Sequence, residues 1–97
     1  MNRTEILFTA EEYITKDRAA THGDAEDTFA AIAVVWSWWL SARISEPLTA
    51  HDVAVMMALF KVARMQGNKA HMDNPVDCAG YIAVAGEIGA KNGAGIA

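Results

Sequence analysis

The amino-acid sequence predicts an all-α fold, a compact and oligomeric bundle of about four helices, on three observations. Apolar residues recur at helical spacing in four separate stretches, and Pro, Gly, Asp and Thr punctuation falls between them. No segment shows the alternation with a period of two that a half-buried strand requires. The 97 residues, 53% apolar and 21% charged, suffice for one cored domain and are too few for two. The expected organisation is a single helical domain over residues 1–90 with a Gly/Ala tail over 91–97.

The first helix is expected from Thr4 to Thr15, with Ile6, Leu7, Ala10 and Ile14 on one face and Glu5, Glu11 and Glu12 elsewhere. Lys16 to Asp24 lacks an apolar period and reads as a loop. Asp24 is a plausible cap for a second helix to about Ala42, with Glu26 and Asp27 in a first turn where the helix dipole favours negative charge. Its core stripe is Phe29, Ile32, Ala33, Trp36 and Leu40. Val34, Val35, Trp38 and Trp39 carry apolar character around most of the circumference, so a second side of this helix is expected to meet another subunit.

Ser45 to Leu48 form a turn, and Thr49 with Asp52 three residues on gives a third helix a capping-box start in which Asp replaces Glu. Val53, Met56, Met57, Phe60 and Ala63 are its expected buried stripe, with Gly67 and Asn68 ending it. Lys61 and Arg64 stand one turn apart on one side. Met72 to Pro75 lead into a fourth helix, expected through about Ile88. Its Ala79, Gly80, Ala83, Ala85 and Gly86 permit close helix approach at some cost in propensity.

The net charge of −4 argues against polymeric nucleic acid, which needs a concentrated basic surface. The single Cys78 excludes an intrachain disulfide and reads as a small core residue. No basic segment with an apolar stretch opens the chain, and no run approaches about 18 apolar residues, so no membrane contact and a cytoplasmic location are expected.

Two acidic pairs remain. Asp24 and Asp27 share one side of a helix start; Asp73 and Asp77 do the same at the fourth helix, with Asn74 beside them. Taken singly, each pair is ordinary helix-start chemistry. If the bundle brings both pairs together with Lys61 and Arg64, the set suits a hard cation such as Mg²⁺ and a small phosphorylated ligand. Arg18, His22 and Tyr81 are further candidate ligand contacts, whereas His51 and His71 read as solvated. No P-loop, dinucleotide glycine motif or Ser/His/Asp arrangement occurs.

Arg18-Ala-Ala-Thr-His-Gly-Asp24, Ile32-Ala33 through Trp36, Asp52 to Lys61-Val-Ala-Arg64, and Asp73-Asn74-x-x-Asp77-x-Ala-Gly-Tyr81 together resemble a small, functionally uncharacterised domain family common in phages and prophages. The resemblance covers about residues 14–88 and implies a phage or prophage origin and a compact helical fold. More distantly, the pattern is similar to the MazG-like all-α nucleoside triphosphate pyrophosphohydrolases. That similarity implies nucleotide binding and Mg²⁺-assisted hydrolysis, with Asp24 and Asp27 standing for one acidic pair and Asp73 and Asp77 for the other. Asp24, Asp27 and Asp77 would then serve catalysis. This sequence departs from the pattern in having Asp-x-x-Asp first and a spacing of four second. The alternatives are a noncatalytic phage nucleotide-binding protein that sequesters a signal, and a structural or interaction protein built around the Trp-rich helix.

Overall fold

The computed structural model describes residues 1–17 and 24–92. Among these lie four α-helices and no strand: α1 Arg3–Glu12, which continues as a π-helical turn Tyr13–Asp17, α2 Ala25–Trp39, α3 Ala50–Met65 and α4 Asp73–Lys91. The all-α expectation holds. α3 and α4 make the most extensive contact, α2 lies against α3, and α1 packs chiefly on α4.

Local chemistry explains the helix starts. Asn2 caps α1: its side chain accepts the Glu5 N–H at 2.8 Å, and the Glu5 carboxylate accepts the Asn2 N–H at 3.4 Å. The sequence reading passed over this cap. The cap expected at Thr49 is present, with Thr49 Oγ1 accepting the Asp52 N–H at 3.2 Å and Asp52 Oδ2 accepting the Thr49 N–H at 2.9 Å. The Leu48 N–H donates to Ser37 Oγ at 2.8 Å, which ties the α2–α3 connection back onto α2.

Several boundaries differ from expectation. α1 with its π-helical turn reaches Asp17, beyond Thr15, so Lys16 is helical and not in a loop. α2 ends at Trp39, not Ala42, because Leu40 leaves the α basin at φ −90°, ψ 7° and the chain closes through tight turns. α4 runs to Lys91, three residues past Ile88, and residues 93–97 of the expected tail lie outside the described residues.

The core consists of Phe29, Ala33, Val53, Ala54, Ala58, Tyr81, Val84, Ala85 and Ile88, with Ile14, Ile32, Trp36, Leu48, Met57 and Cys78 packed against it. The expected α3 stripe is therefore corrected. Val53 is buried and Met57 half-buried, but Met56, Phe60 and Ala63 are exposed, and Ala54 and Ala58 take their places. Alanines let α3 approach its neighbours closely, and the larger side chains are turned outward as a result.

Close approach also governs α1 against α4. A β-carbon at Gly80 would stand 3.0 Å from Ile14 Cγ2, so glycine lets the π-helical turn sit this close without Ile14 having to shift. Gly86 and Ala83, expected in the same role, are exposed, and a β-carbon at Gly86 would meet nothing within 4 Å.

Candidate functional site

The α3–α4 contact carries the most enclosed ion pair among the described residues. Lys61 follows Ala54 and Ala58 along the buried side of α3, so helical geometry takes its stem into the interface rather than out to water. Its ammonium meets Asp77 Oδ2 at 2.9 Å, with only 12% of the Lys61 and 25% of the Asp77 side chain exposed. Desolvating both charges is costly, and the close pairing offsets that cost. One turn before Asp77, Asn74 is 2% exposed, and its Oδ1 is buried without a hydrogen-bond partner. An orphaned acceptor of this kind in a helical core costs about 1–3 kcal/mol.

Arg64, one turn beyond Lys61, is exposed and lies over the Phe60 ring at 5.6 Å from its centroid. No carboxylate pairs with it among the described residues. Asp73 is exposed and sits 3.4 Å from His71 Nε2. Tyr81 lies in the core with its ring 5.9 Å from that of Phe29 and tilted by 53°, so packing accounts for its aromatic face.

The first acidic pair occupies a different place. Asp24 stands at the cap position of α2 but makes no side-chain cap bond, and both it and Asp27 are exposed. Asp24 borders a small hollow of about 90 Å³ shared with Ile14, Glu26, Glu87 and Lys91. Lys91 binds Glu26 at 3.3 Å and approaches Glu87 at 3.8 Å. The hydrogen bond to Glu26, then the charges of Glu26, Glu87 and Asp24, raise the Lys91 ammonium above the ordinary lysine range. The sequence reading missed this cation, although its i,i+4 spacing from Glu87 was legible.

The hollow at the Asp24–Glu26 end is lined on α4 by Val84, Glu87, Ile88 and Lys91, which follow Asp77 by seven to fourteen residues, about 10–20 Å along the axis. Asp27 is nearer in topology: it precedes Phe29 by two residues, and Phe29 meets Tyr81 one turn beyond Asp77. Among the described residues no group of three or more His, Cys, Asp or Glu is arranged to hold a metal ion.

Arg18 and His22 lie outside the described residues. His51, expected to be solvated, is instead half-buried with its ring close to Gly89, whereas His71 is exposed. Cys78 is a partly buried free thiol packed against the core. No described helix is long and apolar enough to cross a membrane.

These features define a small all-helical domain with one charged pair and one orphaned amide at its central helix contact. The chain belongs to the DUF6378 family, a domain of unknown function whose model matches residues 5–89. It is 44% identical over 79 residues to the Gene 55 protein of Mycobacterium phage L5, an alignment covering 81% of this chain and 49% of that protein. It is 37% identical over 76 residues to the Gene 55 protein of Mycobacterium phage D29, covering 78% and 48% respectively. The chain thus spans about half the length of the curated relatives it matches. No solved structure matches it.

Proposed function

We propose that this phage-type domain binds a small phosphorylated nucleotide at the polar centre between α3 and α4. The observation that carries the reading is the enclosed Lys61–Asp77 pair with the unpartnered Asn74 Oδ1 one helical turn away on α4. A charged pair and an unmet polar group at one helix contact contribute little net stability, and arrangements of that kind recur where a ligand completes the bonding. Arg64 adds a guanidinium one turn away whose fork is suited to phosphate oxygens. In this reading phosphate competes with Asp77 for Lys61, and Asn74 bonds a polar edge of the ligand.

The distant similarity to MazG-like enzymes extends the proposal to pyrophosphate release from a nucleoside triphosphate. That extension needs Asp24, Asp27, Asp73 and Asp77 to converge on Mg²⁺ as well as on the nucleotide. Sequestration without turnover needs only the polar centre, with phosphate displacing Asp77 from Lys61. The hydrolytic form is therefore the more demanding of the two.

A thermal-shift panel of ribo- and deoxynucleoside di- and triphosphates, with and without Mg²⁺, tests the reading. A ligand at a hundredfold excess over its Kd raises stability by about 2.7 kcal/mol. Arg64→Ala, at an exposed position, should weaken the shift without lowering the melting temperature of the free protein. Pyrophosphate appearing with Mg²⁺ and lost in Asp77→Asn supports hydrolysis, whereas ligand recovered intact supports sequestration. A panel in which no nucleotide stabilises the protein sinks both.

A further inference from the structure

We infer that the exposed Trp face of α2 is the contact surface for a second copy of this chain, in a twofold-symmetric dimer. Val34 and Trp38, and likewise Val35 and Trp39, stand one turn apart on α2 and are 71%, 73%, 61% and 76% exposed. The two indoles lean on each other at 6.3 Å and are not folded back onto the core. Beside them an apolar hollow of about 500 Å³ is lined by Val35, Trp36, Trp38, Trp39, Leu40 and, from α3, Met56.

Area comes first in the argument. Each indole is worth roughly 150–250 Å² when buried, so the pair alone offers some 200–400 Å², and Val34, Val35 and Met56 bring the patch to roughly 500 Å² or more. The largest apolar patch on a typical monomer is about 300–600 Å² and is often functional, and a standard interface takes about 800 Å² from each partner. The patch is thus more than half of what a stable dimer needs, before any rim is counted.

Charge then selects the occupant. Residues 28–42 contain no charged side chain, so two copies can bring this face together without like-charge repulsion despite the net charge of −4 on each. An anionic membrane is disfavoured, because α2 itself carries no Lys or Arg and the exposed Arg43, one turn past Trp39, is a single cation where a lipid-binding helix carries many.

The inference is independent of the nucleotide reading and is tested on the ligand-free protein. Sedimentation equilibrium should return twice the chain mass, and indole emission should shift to longer wavelength on dilution. Trp38→Glu/Trp39→Glu should halve the mass while leaving helical circular dichroism intact, since neither indole belongs to the core. Leu7→Glu/Phe8→Glu, on the exposed side of α1, should leave the dimer unchanged. A monomer at every attainable concentration overturns the inference, as does a dimer that survives the Trp variant or dissolves in the α1 variant. Monomeric protein that floats with phosphatidylglycerol vesicles would assign the face to a membrane instead, and equally overturns it.

Discussion

Gly80 and Gly86 lie six residues apart on α4, and the same substitution should have opposite effects at the two positions. At Gly86 an added methyl group meets nothing within 4 Å, so Gly86→Ala gains helix propensity and should raise stability by about 0.5–1 kcal/mol. At Gly80 the methyl group arrives 3.0 Å from Ile14 Cγ2, and overpacking costs of about 1–3 kcal/mol exceed that gain. Gly80→Ala should therefore lose about 1 kcal/mol in urea unfolding. Equal stabilisation by both variants would show that Ile14 gives way freely and that the π-helical turn is not closely docked. The ion pair follows a related logic: the sequence marked Lys61 and Asp77 as separate candidates for one site, and helix geometry makes them partners. What the sequence could not reveal is that Asn74 is buried, because nothing in its neighbours' polarity distinguishes an orphaned amide from an exposed one.

Among the elements, α3 shows most clearly what periodicity conveys. Its start was legible because a capping box is a local device, set by Thr49 and Asp52 with no tertiary help. Thr49→Ala should cost about 1 kcal/mol, and Asp52→Ala a similar amount. The double variant should lose less than the sum of the two, since each side chain bonds the other's backbone N–H as one reciprocal unit. Strict additivity in a denaturation cycle would refute that coupling. The buried face of α3 was legible only in part, because apolar periodicity weights Met56 and Phe60 above Ala54 and Ala58. Helix packing reversed that weighting: small residues went where backbones approach, and large ones went outside. Arg64 ended over Phe60 on the exposed side, whereas Lys61 turned inward to meet Asp77. The two acidic pairs were correctly placed at helix starts. Whether they converge depends on how α2 crosses α4, which no local pattern encodes.

Across the whole molecule, stability should be graded by how each helix is covered. α3 and α4 share the largest contact and most of the core, so their central amides should exchange with solvent only through global unfolding. α1 contributes only Ala10 to the buried set and packs chiefly on α4, so its amides should open sub-globally at lower free energy. α2 is the informative case. Its Phe29 and Ala33 side is anchored in the core, whereas the turn bearing Trp38 and Trp39 has solvent on its outer face in the single chain. If a second copy covers that face, protection near Trp38 and Trp39 must rise with protein concentration by mass action, while protection in α1 stays where it was. Native-state hydrogen exchange at low and high protein concentration reads both quantities in one experiment. Uniform protection across all four helices would refute the graded picture. A concentration effect confined to α1 would move the interface from the Trp face to Leu7 and Phe8.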